Sequence, residues 1–204
     1  MGKLLLASSN PGKLLELEAL LGDLNVELIV PKNLGLELHV VENGQTYAEN
    51  AARKASAFAQ ASGLVTLADD SGLEVDALDG KPGLFSARYS PKPGATDADR
   101  RAQLIEHLMG HPRPWTARFR CCVALADPTG VAHYSQGVCP GEIIPVERGD
   151  GGFGYDPIFL LTEIGRTMAE LDMPEKNRLS HRSRAVLSAR PLIEEMLGAS
   201  EFNP

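Results

Sequence analysis

The sequence predicts an α/β protein. Short apolar runs suited to strands buried on both faces, Lys3–Ala7 and Val26–Val30, are separated by stretches where Leu or Ala recurs at helical spacing. Past the middle the pattern changes to residues of alternating polarity, as in antiparallel strands. The 204 residues, 43% hydrophobic and 23% charged, suffice for one substantial core and exclude disorder as the main state. With no internal repeat and no linker tract, a single two-lobed domain over residues 1–204 is expected.

The elements follow in order. Lys3–Ala7 reads as a buried strand, and Leu14, Leu17, Leu20 and Leu21 mark a helix ended by Gly22. Val26–Val30 is a second strand. Thr46–Ala61 is an Ala-rich helix with Thr46 and Glu49 in capping-box relation and Gly63 near its end. Val65–Ala68 is a third strand, with the acidic pair Asp69-Asp70 at its exit. After a Pro/Gly-rich stretch from Gly80 to Gly94, Asp97–Met109 is helical. Ala117–Ala126 and Val131–Ser135, joined by Asp127-Pro128-Thr129-Gly130, read as an antiparallel hairpin, and Glu142–Val146 as a further strand. A loop at Gly149–Pro157, a strand at Ile158–Leu161 and a helix at Ser180–Leu197 complete the order, with Glu201–Pro204 expected to fray.

A net charge of -7 offers no global attraction to nucleic acid or anionic membrane, so neither partner is expected and any anionic ligand must be caught by particular residues. The apolar run near the N-terminus is too short for a signal peptide, and no run approaches a membrane span, which points to a cytoplasmic protein. The three cysteines lack metal-ligand spacing and read as reduced core residues. Trp115 reads as a packing anchor, and His39, His107, His111 and His133 show no ligand spacing.

Four segments could carry chemistry. Adjacent carboxylates such as Asp69 and Asp70 repel each other and attract a divalent metal or a catalytic proton, although Asp-Asp-Ser-Gly is equally good turn chemistry. Ser8-Ser9-Asn10-Pro11-Gly12-Lys13 puts small polar residues, a glycine and a cation before a helix, either an anion cradle or a plain N-cap. Gly149-Asp150-Gly151-Gly152-Phe153-Gly154-Tyr155-Asp156 interleaves glycines with aromatic faces that could stack on a ligand. Lys176 could neutralise phosphate, and His181 and Arg182 could donate to a base carbonyl or phosphate. Glu42 is a possible second magnesium ligand or a solvated loop acid, while Glu16 and Glu18 read as solvent-facing or as partners of Lys13.

In this order, these segments together resemble the inosine/xanthosine triphosphate pyrophosphatase family, and the likeness runs from Lys3 to Leu197, including Lys81-Pro82-Gly83 and Ser86-Ala87-Arg88-Tyr89. The resemblance implies an elongated two-lobed α/β fold with a central mixed sheet flanked by helices and an active site in the cleft between lobes. It also implies hydrolysis of ITP, dITP and XTP to monophosphate and pyrophosphate, with Mg2+, usually in a homodimer. Carried over position by position, Ser8 to Lys13 would hold the triphosphate and Asp70 would be general base and magnesium ligand. Ser71, Phe153, Gly154, Tyr155, Asp156, Lys176, His181 and Arg182 would complete the substrate site. Many bacterial members have two acids where this chain has Val41-Glu42, which leaves Glu42 as the remaining candidate for the second ligand. A Maf-type nucleotide pyrophosphatase is the rival enzyme reading, but an arginine-rich loop would there replace Asn10-Pro11-Gly12-Lys13. A nucleotide-binding protein without catalysis is the rival from another class.

Overall fold

The structure, a computed structural model, describes residues 2–199. The order is β1 (Gly2–Leu6), α1 (Pro11–Leu21), β2 (Val26–Ile29), α2 (Tyr47–Ser62), β3 (Val65–Val75), α3 (Asp97–Leu108), β4 (Trp115–Ala126), β5 (Ala132–Ile143), β6 (Phe159–Leu161), β7 (Arg166–Thr167), α4 (Met173–Leu179) and α5 (His181–Ala199). Among the described residues the strands form one open sheet in the order β2-β1-β3-β4-β5-β6-β7. It is mixed: β1 runs parallel to β2 and β3, with Leu4 opposite Leu28 and Val65, whereas β6 runs antiparallel to β5 and β7. The expected α/β class with helices flanking a mixed sheet is observed.

Local chemistry sets the helix starts. Asn10 accepts from the Lys13 N–H and Pro11 supplies a preset φ, so α1 begins immediately after the first loop. Thr46 accepts from the Glu49 N–H, and Gly63 ends α2 at φ +70. Glu49 reaches back one residue further than a capping box requires, to the Gln45 N–H.

The chain divides into two compact units. The first comprises the chain up to Asp70, Cys121–Gly137 and the chain from Arg182 onward. Here alternate residues of the same strands face different helices. Leu4, Leu6, Val65, Leu67, Cys121 and Val123 pack with Leu17 and Leu21 of α1 and Val186 and Ile193 of α5. Their neighbours Leu5, Ala7, Ala68 and Ala124 pack with Ala51, Ala55 and Phe58 of α2. The second unit, Ser71–Arg120 and Val138–His181, has its own core, in which Leu73, Val75, Leu104, Leu108, Trp115, Phe119 and Phe159 are buried together.

Two expectations are corrected and one helix is added. The third strand does not stop at Ala68: β3 continues through Asp69-Asp70-Ser71-Gly72 to Val75, so the turn reading of this tetrapeptide is wrong. The separate strand at Glu142–Val146 does not form, because its first two residues end β5. Helix α4 lay unread before the last helix. The three cysteines are free and buried, as expected. Glu201–Pro204 lies outside the described residues.

Candidate active site

Because side chains alternate along a strand, Asp69 and Asp70 point to opposite faces of β3. Asp69 follows Val65 and Leu67 onto the face covered by α1 and α5. It is 1% exposed, and its Oδ2 lies 2.9 Å from Lys13 Nζ and accepts from Arg182 Nε at 3.2 Å and Nη2 at 3.1 Å. Arg182 in turn binds Glu16. Burial disfavours the Asp69 carboxylate, but Lys13, Arg182 and Lys54 outweigh that penalty and hold it well below the usual range. A carboxylate so strongly held as an anion is a poor proton acceptor.

Asp70 faces α2. Its Oδ2 accepts from Asn50 Nδ2 at 2.9 Å, and Asn50 Oδ1 accepts the Gly44 N–H at 2.8 Å. One turn along α2, Lys54 donates to the Asp69 main-chain oxygen at 2.8 Å and pairs with Glu42 at 2.7 Å. Burial pushes the Asp70 carboxyl upward, more than the Asn50 hydrogen bond and the cations Lys13 and Lys54 pull it down. Glu42 adds to the rise. A partly buried carboxylate with a raised pKa is the ordinary form of a general base. Gly44 is required by close approach, since a Cβ there would stand 2.7 Å from Asn50 Oδ1 and 2.8 Å from Glu49 Cβ.

The first loop is a compact turn. Ser8 Oγ accepts from the Asn10 N–H at 3.2 Å and Asn10 Oδ1 from the Lys13 N–H at 3.1 Å, with Ser9, Asn10 and Pro11 exposed. No acidic residue occupies the first turn of α1, so no carboxylate of the helix's own first turn opposes an anion at its positive end.

In the second unit Asp156 organises the glycine-rich loop. Its Oδ2 accepts the Phe153 N–H at 2.9 Å and meets Lys176 Nζ at 2.6 Å, while that ammonium lies 5.1 Å from the centre of the Phe153 ring. Gly152 has φ +71, and a Cβ there would come 2.1 Å from Asp156 Oδ2. Ser71, the first residue of this unit, is partly exposed on β3. The His181 ring is buried and stacks on Phe119 at 4.7 Å.

Two expectations, for Tyr155 and Glu16, change with this geometry, and two further candidate residues are found in buried ion pairs. Tyr155 offers no stacking face, because its ring belongs to the core and its hydroxyl donates to the Ser86 carbonyl at 2.9 Å. Lys176, read as a residue that could neutralise phosphate, is 4% exposed and bound to Asp156. Arg182, read as a donor to a base carbonyl or phosphate, is buried with its guanidinium bound to Asp69 and Glu16. Glu16 is likewise buried, not solvent-facing.

Asn50 and Lys54 were missed entirely. Their signal was an i, i+4 polar pair beside Ala51 and Ala55 on the buried stripe of α2.

The Ham1 family profile matches residues 4–192. The chain belongs to the Ham1 family. Two proteins named dITP/XTP pyrophosphatase, from Desulforamulus reducens and Geobacter sulfurreducens, are 44% identical over 195 residues and 46% identical over 199. Those matches cover 95% of this chain and 96% of the first relative, and 97% of this chain and 98% of the second. The structure of a HAM1 protein from Coxiella burnetii superimposes with a TM-score of 0.86 at 41% identity, covering 96% of this chain and all of that one.

The oxygen donors of this Ham1-family chain suit magnesium only if water and substrate complete its shell. Among the described residues no three His, Cys, Asp or Glu side chains gather as a metal-binding group. Asp70 and Glu42 are hard oxygen donors, which suits an ion that takes one or two carboxylates and completes its shell with water and substrate phosphates. Asp69 Oδ1 is buried with no hydrogen-bond partner among the described residues, but it lies on the other face of β3 from Asp70.

Proposed function

We propose that this Ham1-family chain hydrolyses deaminated purine nucleoside triphosphates, ITP, dITP and XTP, to the monophosphate and pyrophosphate. The observation that carries the reading is the geometry of the acidic pair, in which Asp69 is bound to Lys13 and Arg182 on one face of β3 while Asp70 accepts from the Asn50 amide on the other. Asp70 takes a proton from water as its oxygen attacks the α-phosphorus, and the bond to the β-phosphate oxygen breaks to release pyrophosphate. Asp69 holds Lys13 beside the loop that, in this reading, receives the phosphates, so Lys13 and the N-terminus of α1 offset their charge. Asp70 and Glu42 would hold magnesium, which when bound neutralises charge on the triphosphate oxygens.

Base choice rests on hydrogen-bond sign. Hypoxanthine and xanthine present a 6-oxo acceptor where adenine presents a 6-amino donor, so donors from His181 and from the main chain at the start of α5 favour the oxo bases. The 2-amino group, absent from both, excludes guanine. Phe153 stacks on the base and gives affinity without choice. A cytoplasmic homodimer is part of the same reading. Among the described residues no helix is long and apolar enough to cross a membrane, and light scattering would test the dimer.

A panel of deaminated and ordinary nucleoside triphosphates with pyrophosphate detection tests the activity. We expect kcat/KM for ITP, dITP and XTP to exceed that for ATP and GTP by about a hundred-fold or more. Equal rates across the panel, or release of orthophosphate in place of pyrophosphate, would overturn the proposal.

A further inference from the structure

Gly154 stands at φ +62, and nothing lies within 4 Å of where a Cβ would be, so the residue serves backbone conformation rather than close packing. Glycine moves readily between positive and negative φ, and an unheld peptide here would let the loop change shape. It is held. The Gly154 N–H donates to Asp97 Oδ2 at 2.8 Å, and Arg101 Nη1 donates to the Gly154 carbonyl at 2.8 Å. Asp97 and Arg101 are four residues apart at the start of α3 and therefore share one helix face. Each is itself anchored: Asp97 Oδ1 pairs with Arg100 at 2.5 Å, and Arg101 binds Glu147 through two parallel bonds of 2.8 and 2.9 Å.

We propose that Asp97 and Arg101 are positioning residues, a clamp from α3 that fixes the Gly154 peptide and so presents the Phe153 ring in its stacking orientation. The inference rests on the reading of Phe153 as the base-stacking residue. Asp156 Oδ2 accepts the Phe153 N–H, and Asp97 of α3 accepts the N–H of the residue that follows, so the main chain that carries the ring is held at two successive amides. A stacking partner ordered before the ligand arrives loses little freedom on binding. Neither Asp97 nor Arg101 touches substrate in this scheme, and their removal acts on KM while kcat stays near its original value.

The test compares D97A, D97N and R101A with D99A, using ITP turnover, melting temperature and hydrogen exchange of the Gly154 amide in the ligand-free protein. D97A and R101A are expected to raise KM about ten-fold with kcat within about two-fold, which corresponds to the loss of one charge-assisted hydrogen bond. D97A also loses protection at the Gly154 amide, and D97N, whose amide oxygen still accepts, recovers both values. D99A removes the carboxylate that accepts from the Thr96 N–H and hydroxyl and pairs with Lys92, without touching the loop, so it lowers the melting temperature and leaves KM unchanged. The clamp is overturned if D97A leaves KM and Gly154 exchange unaltered, or if D99A raises KM as much as D97A. If the parent protein releases no pyrophosphate from ITP while D97A still loses Gly154 protection, the functional reading fails and the clamp stands.

Discussion

Substituting Asp69 by Asn should destabilise the protein severely, and the size of the effect follows from its surroundings. Lys13, Asp69, Arg182 and Glu16 form a connected cluster of two cations and two anions, with Asp69 and Arg182 each 1% exposed. The charges cancel, and Asp69→Asn leaves one buried positive charge uncompensated. Removing one partner of a buried ion pair costs about 3–5 kcal/mol. In a chain of this size that corresponds to a fall in melting temperature of about 6–20 °C. The carboxyl also carries a pH signature, because Lys13 and Arg182, against the opposing effect of burial, hold its folded pKa below the ordinary 3.8. Its contribution to stability is therefore complete above about pH 4 and is lost as pH falls below 3.8. Thermal unfolding followed by circular dichroism from pH 7 to pH 3 should show a large gap between parent and variant that narrows at the acid end. A drop of under 2 °C at pH 7, or a gap that widens in acid, would refute this account of the cluster.

Asp70→Asn should lower turnover by at least about a hundred-fold. Because burial raises its carboxyl, ionised Asp70 weakens the fold as pH rises from 3.8, so in metal-free buffer the variant should melt at or above the parent temperature at pH 7. Loss of activity together with a lower melting temperature would count against the assigned role. Glu42→Gln should raise the magnesium concentration for half-maximal activity about ten-fold, read from a metal titration, and an unchanged value would remove Glu42 from the ligand set. Gly152→Ala drives a Cβ into Asp156 at a positive φ, which should displace the carboxylate from Lys176 and Phe153. KM for ITP should then rise, and a KM equal to the parent's would show that this brace is dispensable.

Much of this organisation was legible because it is local. Strand and helix alternation, the Asn10 and Thr46 caps, and the four candidate segments all announce themselves within a few residues. What was illegible depends on residues far apart in the chain. Asp-Asp-Ser-Gly reads as a turn until Arg182, 113 positions on, and Asn50 on α2 satisfy its two carboxylates, at which point tertiary pairing overrides turn propensity. Glu16 shares a helix face with Lys13, Leu17 and Leu20, so a charge on that stripe demanded a buried counter-ion, yet nothing nearby identified Arg182. Helix α4 was legible and overlooked. Asp172 and Glu175 form a capping box with Pro174 in the first turn, and recognising it would have placed Lys176 inside a helix.

The alternation along β3 ties the proposed chemistry to reading frame within the strand. Asp69 and Asp70 are chemically identical side chains, and only the parity of their positions assigns one to the cations of α1 and α5 and the other to the amide of α2. Inserting one residue between Leu67 and Asp69, or deleting Ala68, would move each carboxylate to the opposite face while leaving composition and charge almost untouched. Lengthening a surface loop is a tolerable evolutionary step for such a fold, whereas a single-residue insertion in this strand would turn the proposed base into a buried anion.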